Sequence, residues 1–465
     1  MEGEIRPQHG EKIMRVMMFT LTLSAMSVLM FNFVLPEISN EFNLSTAQVS
    51  WISSSYALIY GIGTVIYGKL ADRYRLKDLL TFGLLFFTVG SLIGLISQTF
   101  SMVLAGRILQ AAGAAAIPAA AMIIPVHYFS PERRGAAMGT AFVGLALGSA
   151  LGPVVSAFIV SVAHWRWLFF VPLIILVTLP FYRRYLGEER GGAGKLDWIG
   201  GGLLASTVTL LLLGVTAGTW WFAGGGLAAF LLFLLRIRST ANPFIAPALF
   251  KNKRYTFGLA ITFLISGIGY SFYFLSPLLL DDIHQLSPGL IGFAMVPAAA
   301  ASAILGRKGG RLADARGNST LFLTASGLLL ISFLLLSTFT GSLAVFIALF
   351  LIFGNVGQSF MMIAMSNSVS MTLPKEQAGV GMGMLSMLNF ISGGMAAGIY
   401  GKVIDIGSEI HWNPVNLYPQ DAVYSNIFLV LALLHTGILL FYLFQFGREA
   451  PEHSKTSTQS KQMKA

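Results

Sequence analysis

The chain has 465 residues, of which 55% are hydrophobic and only 11% charged, and its formal net charge is +10. A water-soluble chain carries about a quarter charged residues, so this deficit points to an all-α polytopic membrane protein. There is no cysteine, which excludes disulfides, zinc thiolate sites and thiol catalysis.

Hydropathy and charge breaks divide the chain into about fourteen apolar segments, each near the length that crosses a bilayer. Their cores are 14–36, 49–68, 79–97, 101–125, 136–160, 165–182, 197–217 and 219–236, followed by 255–279, 288–306, 319–339, 342–371, 379–404 and 423–446. The first run is too long for a signal-peptide core and lacks a small-x-small cleavage site before Glu37, so it reads as a retained helix. Alternate loops are basic: Arg73, Arg75 and Lys77; Arg133 and Arg134; Arg183, Arg184 and Arg190; Lys251, Lys253 and Arg254; Arg307, Lys308, Arg311 and Arg316. The opposite loops are nearly free of Lys and Arg, with Arg166 the main exception, and carry Glu37, Glu41, Asp281 and Asp282. The positive-inside rule then places the basic loops and both termini in the cytoplasm of a multi-pass plasma-membrane protein, in a bacterial inner or cell membrane. The net charge is thus a topology signal, and no nucleic-acid partner is expected.

A phrase recurs along this pattern. Gly68-Lys69-Leu70-Ala71-Asp72 ends the second segment, and Gly310-Arg311-Leu312-Ala313-Asp314 ends the tenth. A second echo has nearly the same offset: Pro131-Glu132-Arg133-Arg134 leads to Met138-Gly139, and Pro374-Lys375-Glu376-Gln377 leads to Met382-Gly383. Two echoes at one spacing indicate two halves with one plan. In membrane proteins that plan belongs to transporters in which one half rocks against the other. The expected organisation is an N-terminal segment 1–13, a six-helix half 14–182, a linker 183–254 holding two inserted helices, a second six-helix half 255–446, and a disordered tail 447–465.

These motifs resemble the major facilitator superfamily, specifically its fourteen-helix drug:proton antiporter branch, over nearly the whole chain. Gly68 to Arg73 is similar to the signature between the second and third helices, although Arg75-Leu76-Lys77 stands where Gly-Arg-Lys is usual. The resemblance implies a gating role for Gly68, Asp72, Arg73, Gly310 and Asp314, with a solvated charged turn as the plain alternative. Arg107-Ile108-Leu109-Gln110-Ala111-Ala112-Gly113 is similar to the fourth-helix motif, which implies a part for Arg107 and Gln110 in proton transfer or substrate contact. An arginine inside a membrane is costly unless it faces a cavity or partner, and the alternative is snorkelling to the outer interface. Gly144, Gly148, Gly152 and Pro153 resemble the fifth-helix antiporter motif, which implies a hinge. Glycines four apart also serve ordinary close packing.

Leu35-Pro36 with Asn32 resembles the end of the first-helix motif, and here the chain departs from its relatives. Related exporters carry an intramembrane acid where this chain has Val28, and some another where it has Ser149. No carboxylate falls in the middle of an expected helix, Asp405 and Lys402 lie at a helix end, and His435 is the one histidine well inside a segment. A buried carboxylate is the simplest means of exchanging a proton for a cationic drug. Without it, Arg107 suits an anionic, zwitterionic or neutral substrate better, and Asp72, Asp314 and His435 remain as proton sites. The candidate cavity residues are Asn32, Trp51, Tyr56, Asn355, Gln358, Asn367 and Asn389, each of which could instead bond a neighbouring helix. Met361, Met362 and Met365 suit either a lining or a core.

The whole reads as a non-enzymatic secondary transporter, a monomer in the lipid bilayer. It would export amphipathic drugs, tetracycline-like or multidrug, in exchange for protons, and so confer antibiotic resistance. The alternative is export of an endogenous anionic or neutral metabolite, siderophore-like, on the same fold. No cofactor, metal motif or phosphate loop is visible.

Overall fold

A computed structural model describes residues 7–31, 34–44, 46–187, 197–217, 220–240, 243–286, 288–374, 377–406, 413–418 and 422–446. Among them the regular structure is helical throughout. In chain order the helices are α1 (Pro7–Met30), α2 (Leu35–Phe42), α3 (Thr46–Ala71), α4 (Leu76–Leu95), α5 (Phe100–Ala114), α6 (Ala116–Tyr128), α7 (Arg134–Val162) and α8 (Leu179–Tyr185). Then come α9 (Trp198–Ala217), α10 (Trp220–Ser239), α11 (Ala248–Lys251), α12 (Lys253–Asp282), α13 (Pro288–Arg316), α14 (Asn318–Thr338), α15 (Ala344–Met371), α16 (Ala378–Ile406) and α17 (Ala422–Phe446).

Twelve helical stretches among the described residues are long and apolar enough to cross a membrane. Helices α3 and α9 stand where the two remaining expected segments fall. Two stretches are less regular than hydropathy suggests, and proline is the reason in both. The span from Phe100 to Tyr128 breaks at Ala115, since Pro118 has no N–H for the Ala114 carbonyl. Residues Trp165–Phe169 and Val171–Thr178 wind as 3₁₀ turns ahead of α8, where Pro172 and Pro180 each remove an i→i−4 bond.

Helices α1 to α8 share one apolar core, centred on residues such as Met30, Leu84, Ile117 and Phe169. Helices α12 to α17 share a second, around Phe272, Leu329, Phe333 and Met361. The two cores meet along two seams: α3 lies against α16, and α7 lies against α13. A third cluster crosses between them. It joins Val65 of α3 and Met138 of α7 to the inserted pair through Leu204, Val208, Phe233 and Ile237, and to Met382, Leu385 and Met387 of α16.

On the weakly basic face, Arg166 is explained by its partner. Its Nη2 lies 2.7 Å from Glu41 Oε1, and Trp165 Nε1 donates to the other carboxylate oxygen at 2.7 Å. Burial alone would raise the Glu41 pKa, but the bonds from Arg166 and Trp165, with the charges of Arg166 and His164, hold it below the ordinary carboxylate value.

Candidate functional site

The two echoes seen in the sequence are partners of each other, taken crosswise. Asp72 follows the last residue of α3, and its Oδ1 and Oδ2 accept from the N–H groups of Gly379 (2.8 Å) and Val380 (3.0 Å). Those amides belong to the first turn of α16, in the other half of the molecule. Asp314, near the end of α13, accepts from Gly135 N (2.9 Å) and Ala136 N (2.9 Å) in the first turn of α7. A helix N-terminus leaves amides unpaired and carries partial positive charge, so a carboxylate is its natural counterpart.

Glycine makes both clasps possible. A Cβ on Gly68 would lie under 3.0 Å from the Gly379 carbonyl oxygen, and one on Gly310 equally close to the Gly135 oxygen. Further along the seams the same backbone contact recurs at Gly383 against Thr64 and at Gly139 against Gly306. The Arg73 guanidinium lies 5.8 Å from the Tyr74 ring.

The clasps differ in their surroundings. Asp72 lies in protein, with Lys69 near enough to act on its charge. Burial pushes its carboxyl up to about 7, against the lowering pull of the Val380 amide, Lys69 and the Gly379 amide. The inserted pair packs over this seam, touching α3 and α16. It is tied together by Asp197, whose side chain is 1% exposed. Asp197 caps α9 through Gly200 N (3.0 Å), pairs with Arg236 Nη2 (3.1 Å) at the end of α10, and accepts from Phe244 N (3.3 Å) in the returning linker. The acid just before Trp198 is a capping signal that the sequence carries. Asp314 instead borders a cavity of about 360 Å³ whose lining includes Glu11, Arg15, Arg133, Arg307 and Arg311. Arg133 there is paired with Glu11 at 2.7 Å.

Helix α7 uses its glycines on two faces. Gly135 and Gly139 meet α13, whereas Gly144, Gly148 and Gly152 meet Met18, Thr22 and Met26 of α1. The stripe that contains the expected hinge therefore packs within one half.

Arg107 is not at the interface. It is fully buried, so snorkelling is ruled out in this conformation. Its guanidinium lies 4.3 Å from the Phe31 ring and 4.0 Å from the Tyr56 ring. Nη1 donates to Ser27 O (3.3 Å) and Gln110 Oε1 (3.0 Å), and Gln110 Nε2 donates to Ser91 Oγ (2.7 Å). Among the described residues no carboxylate pairs with it, and Nε and Nη2 have no partner.

From Tyr56 a column of rings leads across the seam. Tyr56 stacks on Tyr60 (5.8 Å between centroids), and Tyr60 meets Phe390 of α16 edge-on at 4.6 Å. Tyr270 and Tyr273 of α12 are 37% and 45% exposed. Tyr60, Tyr270, Tyr273 and Phe390 were not singled out in the sequence, where nothing separates them from ordinary lipid-facing rings.

The remaining candidates divide. Trp51 is 42% exposed, and Asn389 Oδ1 accepts from Ser266 Oγ at 2.7 Å. Gln358 packs on Gly269, with Oε1 unpartnered. Asn355 bonds its own helix at Leu351 O (3.0 Å), and Asn367 bonds Asn318 (2.8 Å). Met361 and Met365 are core. His435 is fully buried, and neither ring nitrogen has a partner. Asn32 and the tail 447–465 lie outside the described residues, as does the side-chain packing of Pro153.

Comparison with known proteins agrees with this architecture. The chain is 28% identical over 326 residues to multidrug resistance protein 3 of Bacillus subtilis, matching 67% of this chain and 64% of that protein's length. It is 25% identical over 380 residues to the riboflavin transporter RibZ of Clostridioides difficile, matching 80% and 83%. Identity to the methylenomycin A resistance protein of Bacillus subtilis is 26% over 302 residues, or 62% and 64%. Among solved structures, the human organic anion transporter MFSD10 superposes with a TM-score of 0.66 at 17% identity, covering 92% of this chain and 99% of that one. The sequence pattern of the Major Facilitator Superfamily matches residues 17–397, and with two halves clasped crosswise, the chain belongs to that superfamily as a multi-pass membrane protein.

Proposed function

We propose that this protein is a secondary active transporter that exports amphipathic small molecules by alternating access, in exchange for protons. The observation that carries the reading is the pair of crosswise clasps. Each holds the halves together on the basic face, read as cytoplasmic. Breaking both clasps would let the halves part on that face, so Gly68, Asp72, Gly310 and Asp314 act as gates. The Gly144–Gly152 stripe is the surface on which α7 bends against α1. Resistance proteins among the relatives support a drug-like substrate. The test is transport in proteoliposomes under an imposed pH gradient. Substrate movement should follow the gradient, and indifference to it would remove the antiporter assignment.

A second reading, export of an endogenous anionic or neutral metabolite, draws on the positions where related exporters carry acids. Val28 packs against the apolar core. The Ser149 hydroxyl turns back onto Leu145 O at 2.9 Å. A riboflavin transporter among the relatives fits this reading. A panel of cationic, neutral and anionic compounds, with and without the gradient, separates the two.

A further inference from the structure

We propose that the cavity beside Asp314 binds a phosphate monoester, carried by a small metabolite or by a lipid headgroup, and that the bound phosphate holds the α7–α13 seam closed. The site stands on its own geometry, whereas its bearing on export rests on the transport reading above.

The cavity, of about 360 Å³, takes arginines from both halves. Arg15 of α1 and Arg133, just ahead of α7, come from the first half, and Arg307 and Arg311 of α13 come from the second. Three acids share the lining, and each is already engaged. Asp314 accepts the Gly135 and Ala136 amides. Glu11 holds Arg133 at 2.7 Å and lies 3.9 Å from Arg15. Glu132 acts on the charge of Arg134. Among the described residues Arg307 and Arg311 have no acidic partner. They stand one turn apart on α13, where like charges repel.

The chemistry of the unpaired arginines selects the ligand. A guanidinium presents a fork of donors that matches two oxygens of a phosphate, and the tetrahedral group has oxygens enough for two such forks. A phosphate monoester carries about two negative charges at neutral pH, so one group meets both free arginines, where a monocarboxylate meets one. The volume is at the small end of ligand pockets and suits a phosphate with a short substituent. Because the lining comes from both halves, the full set of arginines surrounds the anion only while α7 and α13 are together. A ligand that favours one conformation shifts the population toward it. Bound phosphate thus adds to the Asp314 clasp and slows opening of the basic face.

The test places the purified full-length protein in phosphatidylcholine nanodiscs and follows its Tm in two arms. Inorganic phosphate is titrated in the first, against chloride at equal ionic strength, and phosphatidic acid replaces part of the lipid in the second. A rise with phosphate identifies a soluble occupant, and a rise with phosphatidic acid alone identifies a lipid. Arg307→Gln and Arg311→Gln should each weaken the active ligand about tenfold. Lys308→Gln, which removes a neighbouring charge outside the lining, should leave the affinity unchanged. Spin-label distances across α7–α13 should shift to the shorter value when the ligand is added. The site is wrong if neither ligand stabilises the wild type, or if Lys308→Gln loses as much as Arg307→Gln. Binding that leaves the seam distance unmoved overturns the closing role. A ligand that shortens the seam and leaves export unchanged would count against the export reading and leave the site standing.

Discussion

Asp72 and Asp314 each capture a helix N-terminus in the opposite half through two amide bonds of 2.8–3.0 Å. Asp72 does so beneath the inserted helices, whereas Asp314 does so beside a charged cavity of about 360 Å³. The chemistry of the clasp was duplicated and its surroundings were not. One seam is sealed by apolar packing that spans both halves and the insertion, and the other remains open to water and ions. We infer that Asp72 depends more on its protein surroundings than Asp314 does, although α7 and α13 share the more extensive seam.

The largest effect should come from filling the backbone contacts. Gly68→Ala and Gly310→Ala each press a methyl group against a carbonyl oxygen at under 3.0 Å, where the neighbour is backbone and cannot rotate away. Both should lower transport at least about tenfold at normal membrane expression, since overpacking of this kind costs on the order of 1–3 kcal/mol. A tolerated Gly310→Ala would break the parallel between the clasps.

Next come the carboxylates. Asn keeps one acceptor but turns an NH₂ toward the second amide, so Asp72→Asn should cut the transport rate about tenfold, in the range of a lost helix cap. Asp314→Asn should cost less, about threefold, because water in the adjoining cavity can serve the released amides. Equal losses, measured per molecule in the membrane, would contradict the inferred asymmetry.

A smaller, pH-dependent difference follows from the Asp72 carboxyl. Burial raises its value to about 7 in the clasped state, and parting the seam would expose it and return it toward ordinary values. The clasped state then holds the proton more tightly, so closure of α3–α16 gains stability as pH falls through about 7 and loses it as pH rises. Spin-label distances across that seam between pH 6 and 8 should follow this trend and lose it in Asp72→Asn. A trend of opposite sign would show that the clasp works only when ionised.

The smallest effect is assigned to Asp197→Asn, which loosens the tie to Arg236 and Phe244. Arg236 is 35% exposed, so water takes up part of the loss and about 1 kcal/mol is expected. It should show as modest loosening at α3–α16 that α7–α13 follows.

Much of this was legible in the sequence because the physics behind it is local. Segment length, basic loops and the repeated Gly-x-Leu-Ala-Asp gave spans and two halves directly. The second echo was legible too, but its meaning was not. That Gly379 and Gly135 supply the amides for Asp72 and Asp314 is a crosswise relation between residues 307 and 179 positions apart. Spacing along a chain carries no such information. Arg107 was visible as an intramembrane cation, while its setting between two rings and beside Gln110 depends on where Phe31, Tyr56 and Gln110 fall in space.

The central claim is that the two clasps open and close as one device. The chain has no native cysteine, so label pairs can be placed across α3–α16 and across α7–α13 on an otherwise unlabelled protein. Distances at both seams, measured in the same vesicles with and without substrate under a pH gradient, test it most directly. The account predicts that both distances lengthen together as the basic face opens and shorten together as it closes. One seam opening while the other stays clasped through a full transport cycle would contradict it.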